Sequence, residues 1–148
     1  MIRGYFAESR GRLRPIIDGV LQFTGRGPQS FDVKFLVDTG ADRTVLAPED
    51  AARFALQFKL DLDTLKVGQP SSGVGGRTNT RTIEAVLTLA SYSSGPFTLT
   101  ILQSPPGPRS RIPSLLGRDI LSRFALFREE RTGRVLLLEP EEADALAF

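Results

Sequence analysis

One stretch, Phe35-Leu36-Val37-Asp38-Thr39-Gly40-Ala41-Asp42, limits this chain more than any other. Three apolar residues run into an acid, a hydroxyl and a glycine. An apolar run of this kind is a buried strand end. Asp-Thr-Gly after it is a tight turn, with Gly40 free to take backbone angles closed to other residues. The fold must therefore hold a carboxylate at the end of a buried strand, a place where burial and neighbouring charge can shift acidity. Taken alone, the same residues also describe an ordinary strand and Asx-type turn, with Asp38 bonding its own backbone. Short motifs have many false positives, so the rest of the chain has to decide.

Composition removes much of the competing chemistry. There is no cysteine and no histidine. A disulfide framework, a thiolate nucleophile, Ser-His or Cys-His catalysis and the usual zinc sites are all excluded. A hydrolase made from this chain has carboxylates, lysine or hydroxyls to work with. At 148 residues, with 41% hydrophobic and 24% charged content, the expectation is one soluble domain spanning 1–148. Its core is expected over about 15–139, with 1–14 and 140–148 as peripheral tails. The basic residues are interleaved with acids, so no nucleic-acid footprint emerges. Met1 to Arg14 is charged throughout and lacks the apolar segment of a signal peptide. No apolar run is long enough to span a bilayer. The expected location is cytoplasmic, with no membrane partner.

Ten prolines and fourteen glycines punctuate the chain and favour a turn-rich β protein. Met1 to about residue 12 is polar and basic and reads as loosely held. Pro15 to Phe23 reads as a strand, with Gly19 as a bulge. Ser30 to Val37 is a second strand, alternating Phe31, Val33 and Phe35 against Asp32 and Lys34, and it forms a hairpin with the first. Thr44-Val45-Leu46 is a short β-branched run. Pro48 to Ala55 reads as a helix, with proline in its first turn and acids at the positive end of its dipole. Gly68 to Asn79 reads as a glycine-tipped hairpin. A phosphate-binding loop would need a lysine and a following helix, and neither is present. A disordered linker would not be flanked by β-forming runs. Thr82–Ala90 and Pro96–Leu102 form another hairpin across Ser91 to Gly95. Gln103 to Pro113 is a proline- and arginine-rich loop. Ser114 to Arg123 is a short apolar strand, a glycine turn and a turn or two of helix. Ala125–Phe127 and Arg134–Leu138 make a last hairpin before an acidic tail.

Three stretches then need one explanation. Leu36-Val37-Asp38-Thr39-Gly40-Ala41-Asp42-Arg43-Thr44-Val45-Leu46 resembles the catalytic segment of the retropepsins, the homodimeric aspartic proteases of retroviruses and their cellular relatives. Gly73-Val74-Gly75-Gly76 is similar to the family's flap tip. Leu115-Leu116-Gly117-Arg118-Asp119-Ile120-Leu121 resembles its hydrophobic-hydrophobic-glycine segment and following helix. The order is also the family's, and the resemblance runs from about Pro15 to about Arg123. It implies an all-β retropepsin-like fold: a closed or strongly curved single-lobe β-barrel with one or two short helices and a β-hairpin flap, paired as a two-fold homodimer.

The implied activity is that of an aspartic endopeptidase, without metal or other cofactor, acting on a peptide or protein substrate. Peptide hydrolysis without a covalent intermediate needs one group to activate water and another to supply a proton. Two carboxylates sharing one proton do both. The chain has a single Asp-Thr-Gly, and Asp119 lies past the glycine on the expected helix. The second carboxylate is therefore expected from Asp38 of another copy. The resemblance implies that Thr39 bonds across the dimer axis, Gly40 offers its carbonyl to substrate, Ala41 lines a pocket, and Asp42 pairs with Arg118 behind Gly117. It implies that Gly73, Val74, Gly75 and Gly76 close over the peptide.

The chain departs from the viral pattern at Arg43, in the Pro48 helix, in the long Gln103–Pro113 loop and in its continuation past the Gly117 helix. Three arrangements of the last hairpin and tail are open: they supply the dimer interface, pack on their own subunit, or lie across the cleft. An alternative class is a peptide-binding or dimerisation module of the same fold that is catalytically silent. A small RNA-binding barrel lacks the interleaved aromatics and basic stripe it would need.

Overall fold

The computed structural model describes residues 1–73, 76–103 and 112–146. The alternating pattern of Ser30–Val37 (β3) is realised residue by residue, with Phe31, Val33, Phe35 and Val37 buried and Asp32 and Lys34 exposed. β3 pairs antiparallel with Arg12–Phe23 (β2), from Ile16↔Leu36 to Gln22↔Ser30. The chain then turns at Asp38 and returns as Val45–Leu46 (β4), followed by the helix Pro48–Phe58 (α1). A single 3-10 turn, Leu62–Thr64, leads to Lys66–Val67 (β5). Two short strands, Ser71–Gly73 (β6) and Gly76–Thr78 (β7), pair with each other and, among the described residues, with no other strand. Thr80–Leu89 (β8) and Tyr92–Leu102 (β9) form the longest hairpin.

Closure of the barrel depends on a late segment. Leu115–Leu116 (β10) inserts between β3, to which it runs parallel, and β4, to which it is antiparallel. β4 pairs with β9, β9 with β8, and β8 with the second half of β2 through Val20↔Thr88 to Phe23↔Ala85. The six strands β2-β3-β10-β4-β9-β8 thus close on themselves. Ile17, Leu21, Phe35, Leu87, Leu89, Leu99, Ile101 and Leu116 fill the interior with no exposure. Burial of this apolar surface is the main force holding the strands together. α1 covers the barrel wall with Ala51 and Phe54, and Phe54 stacks on Phe23 with ring centroids 4.3 Å apart.

After β10 come the four-residue helix Arg118–Leu121 (α2), the strands Ala125–Glu129 (β11) and Arg134–Leu138 (β12), and the short helix Pro140–Asp144 (α3). β12 does not close on β11 alone. It also pairs with Ile2–Ser9 (β1) through Ile2↔Leu137 to Gly4↔Val135, and β1 continues onto β2. The last hairpin therefore packs on its own chain, where β1, β12 and β11 form a three-stranded extension of the barrel.

Several expectations need correcting. Residues 1–14 are not a loose peripheral tail: β1 is a strand of the main sheet and Ile2 is buried. Within 140–148, residues Pro140–Asp144 are the helix α3. Gly19 is not a bulge, since it pairs in register with Val33. A Cβ there would lie 2.9 Å from Leu87 and 3.0 Å from Phe35, so the position is glycine because the core presses on it. The β8–β9 turn is Ala90-Ser91, not Ser91–Gly95, and the extra residues are absorbed by a register shift between Val86 and Thr88. Residues 104–111 of the proline-rich loop lie outside the described residues. Among the described residues, no helix is long and apolar enough to cross a membrane.

Candidate active site

Asp38 follows β3 directly, and its backbone is fixed by the strand inserted beside it. Its N–H donates to the Leu116 carbonyl at 3.1 Å, as Leu36 N–H does to Ser114 at 2.8 Å. The turn closes by Ala41 N–H donating to the Asp38 carbonyl at 3.2 Å. The Asp38 carboxylate is half-buried, and its Oδ1 accepts from the Gly40 N–H at 2.9 Å. Thr39 and Gly40 are exposed beside it, and Ala41 is half-buried.

Gly40 does not adopt a left-handed backbone conformation. The expectation that its freedom at positive φ shapes the turn is overturned. A Cβ at Gly40 would stand 3.3 Å from Asp38 Oδ1, so what the position requires is room beside the carboxylate. Gly117 is extended, and there a Cβ would sit 2.4 Å from the Arg43 carbonyl carbon and 2.9 Å from the Thr44 nitrogen. Any side chain would force the two backbones apart. This close approach brings α2 against the far side of the Asp38 turn.

α2 grips that turn from behind. Its first two free N–H groups, Arg118 and Asp119, donate to the carbonyls of Ala41 and Asp42 at 2.8 and 3.2 Å. These are the donors that a helix start leaves unsatisfied. The Arg118 guanidinium also pairs with the Asp42 carboxylate, both side chains being largely exposed. The structure thus brings Asp38, Thr39, Gly40, Ala41, Asp42, Gly117 and Arg118 into one cluster.

Two further residues tie the cluster together, and sequence reasoning passed over both. Thr44 is fully buried. Its N–H donates to both Asp119 carboxylate oxygens at 3.0 Å, and its hydroxyl donates to Oδ1 at 2.7 Å. The same hydroxyl accepts from the Gly117 N–H at 3.1 Å. Asp119 Oδ1 also accepts from the Ile120 N–H at 2.9 Å. The sequence pattern shows Thr44 only as part of a β-branched run and Asp119 only as a helix residue. An acid in the first turn after a glycine usually serves its own helix, which masks the longer reach. Ser114 makes a third tie, donating to Asp50 at 2.6 Å and accepting from the Ala47 N–H at 2.9 Å, and so docks β10 onto the start of α1.

Gly73 and Gly76 lie elsewhere, paired across the β6–β7 hairpin; Val74 and Gly75 lie outside the described residues. The hairpin's root is fixed by Gly68 N–H donating to the Thr80 carbonyl at 3.0 Å and the Thr80 hydroxyl to the Gln69 carbonyl at 2.7 Å. Among the described residues, no hydrogen bond joins it to the Asp38 turn. No group of three or more acids among these residues is arranged to hold a metal ion.

A closed barrel with an inserted strand, a short helix behind an Asp-Thr-Gly turn and a separate glycine hairpin make up the retropepsin-like fold. It matches a retropepsin-like aspartic protease from Rickettsia conorii with a TM-score of 0.58 and 22% identity, covering 88% of this chain and 95% of that one. It matches the EIAV protease, solved with the inhibitor HBY-793, with a TM-score of 0.52 and 22% identity, covering 78% and 92%. No curated protein matches the sequence. Residues 23–120 match the sequence model of the aspartyl protease family, and the chain belongs to that family.

Proposed function

We propose that the protein is an aspartic endopeptidase that acts as a homodimer, with Asp38 of each subunit forming the catalytic pair. The observation that carries this is how the acids of the cluster are used. Asp42 is taken up by Arg118, and Asp119 by Thr44 and Ile120. Among the described residues, Asp38 has no cation beside it and accepts only the Gly40 N–H. It is the carboxylate left for chemistry, and a single copy has no second one to share its proton.

On the two-fold axis of a dimer, like charge keeps one proton on the pair. The ionised Asp38 takes a proton from water as the water oxygen attacks the peptide carbonyl. The protonated Asp38 gives its proton to the carbonyl oxygen. As the tetrahedral intermediate collapses, the C–N bond breaks, the amine leaves with the proton held by the pair, and a hydroxyl proton of the intermediate returns to the pair as the new carbonyl forms. Thr39 stiffens the pair across the axis, the Gly40 carbonyl receives the substrate backbone, and Ala41 lines a side-chain pocket. The hairpin bearing Gly73, Val74, Gly75 and Gly76 closes over a substrate lying as an added strand. The reading needs no cofactor.

The test is cleavage of a mixed peptide library by wild type and Asp38→Asn, from about pH 3 to about pH 8, at high protein concentration. Asp38→Asn should cut at least about a thousandfold more slowly and unfold within about 1 kcal/mol of wild type. Activity should be greatest at acidic pH and fall as pH rises above neutral, because the reaction needs one proton held between the two carboxylates. It should fall again in strong acid, where no ionised carboxylate is left to activate water. Equal cleavage by the Asn variant, or a rate still climbing above neutral pH, would overturn the reading. No cleavage by either protein would favour a silent peptide-binding module.

A further inference from the structure

β1 and β2 extend beyond the closed barrel as a two-stranded arm. They pair from Tyr5↔Ile16 to Ser9↔Arg12, and Arg10-Gly11 joins them with φ of 50° and 73°. Two positive angles make the tight hairpin turn whose twist matches its strands. β12 pairs with β1 no further than Gly4, and β3 with β2 no further than Ile16. Past those points both outer edges of the arm meet no strand among the described residues. In sequence the bases here alternate with acids, but the fold separates them. Directly opposed residues share a face, so Arg14 and Arg12 stand with Ala7 and Ser9. Glu8 is the arm's one acid; it opposes Leu13 and points to the other face. Arg10 and Arg12 are exposed and Arg14 is half-buried. None of the three joins an ion pair among the described residues.

We propose that this face holds an acidic stretch of the protein substrate, next to the segment that is cut. The proposal rests on the protease reading above and adds to it the class of substrate. Position carries it. Ile16 opposes Leu36, and two residues beyond that pair stand Arg14 on one strand and Asp38 after the other. The strands are antiparallel, so both steps lead the same way, and alternation returns both residues to the face of Ile16 and Leu36. A peptide passing over Asp38 meets Arg14 first, and Arg12 about 7 Å further along β2. The edge of β2 toward the Asp38 turn is one of those left open, so an extended peptide can continue along it. Guanidinium groups bind carboxylates through a planar two-bond fork. These three have no carboxylate of their own chain to give up first.

A nucleic acid is the rival ligand for a basic face. Single strands are held by aromatic rings on which bases stack. The arm's ring on this face, Tyr5, is half-buried and already engaged. Its hydroxyl donates to Asp18 at 2.8 Å and accepts from Lys34 at 3.0 Å, and the Lys34 ammonium lies over the ring at 5.5 Å. An open strand edge suits a polypeptide backbone and has no counterpart in a phosphate chain. An acidic polypeptide uses both the edge and the bases.

The test reads binding and cleavage separately. In fluorescence anisotropy, wild type should bind labelled hexaglutamate at least about tenfold more tightly than hexaglutamine, and less tightly as salt rises. Arg12→Glu should remove the preference, and Arg12→Lys should keep part of it, each with unchanged circular dichroism. Arg26→Glu, the same change of charge at an exposed turn past the other end of β2, should leave it intact. In cleavage, a glutamate run beside the cut site should lower KM at least about tenfold against glutamine, with kcat little changed, and Arg12→Glu should erase the difference. No preference for hexaglutamate, an equal loss in Arg26→Glu, or tighter binding of a single-stranded RNA of the same charge would each overturn the proposal. The two readings fail separately. A protein that holds hexaglutamate through Arg12 but cuts nothing sinks the protease reading and leaves the acidic-peptide site. An enzyme that cuts without regard to a glutamate run does the reverse.

Discussion

The Asp38 turn and the β6–β7 hairpin are held by different means. Around the turn, Leu116 binds the Asp38 N–H, α2 binds the Ala41 and Asp42 carbonyls, and Asp119 binds Thr44 twice over. These partners sit on another segment of the chain, and Leu116, like Thr44 opposite Asp119, is buried. The hairpin pairs with itself through Ser71↔Thr78 to Gly73↔Gly76 and is fastened at its root by Gly68, Gln69 and Thr80. The proposed chemistry gives each arrangement a reason. A reacting carboxylate must be held within a fraction of an ångström, so its support is over-determined. A cover that admits and releases a peptide must come from the less strongly bonded part of the structure.

The largest expected effect lies on the over-determined side. Asp119→Ala leaves the Thr44 N–H and hydroxyl without their acceptor at a residue with no exposure. It should cost about 2 kcal/mol or more in urea unfolding and lower kcat together with stability. Next comes Thr80→Val, which keeps the shape but removes the hydroxyl that ties the hairpin root to Gln69. About 1 kcal/mol of stability should be lost, and in peptide kinetics KM should move more than kcat. A kcat loss as large as that of Asp119→Ala would erase the contrast. The smallest effect is expected at Arg118→Lys. Its pair with Asp42 is 61% and 76% exposed, so unfolding should change by about 0.5 kcal/mol or less. A larger loss would mean that the exposed pair, and not the Thr44–Asp119 bonds, carries the clamp.

How much of this was legible in the sequence follows from which forces leave a pattern. β3 was readable because one face is core and the other solvent, so its alternation is complete. The Asp38, Gly117 and Arg118 segments were readable because their residue types and order are those of a known family. β1 was not. Arg3 is exposed and Tyr5, Phe6 and Ala7 are half-buried, so no apolar stripe forms. Gly4 shows no side chain at all, because a Cβ there would lie 2.3 Å from the Ile16 carbonyl oxygen. Its strand character comes from pairing with β2 and β12, which local sequence does not encode. The roles of Gly19 and Gly40 were misread for a related cause. Glycine marks both a special backbone angle and a crowded Cβ position, and only the packed neighbours distinguish them. The Thr44–Asp119 contact joins residues 75 positions apart, beyond any periodicity argument.

The insertion of β10 has a consequence for the order in which this protein matures. The Asp38 turn is encoded early, yet the strand that lines it and the helix that grips it come from Leu115–Leu121. During synthesis, the nascent chain carries Asp38 long before it carries Leu116, Gly117 or Asp119. Contacts of such long range form late and slowly. Until they form, the Asp38 turn lacks the Leu116 carbonyl and the α2 N–H groups that hold it. On the proposed protease reading, the acid that does the chemistry is encoded first and positioned last.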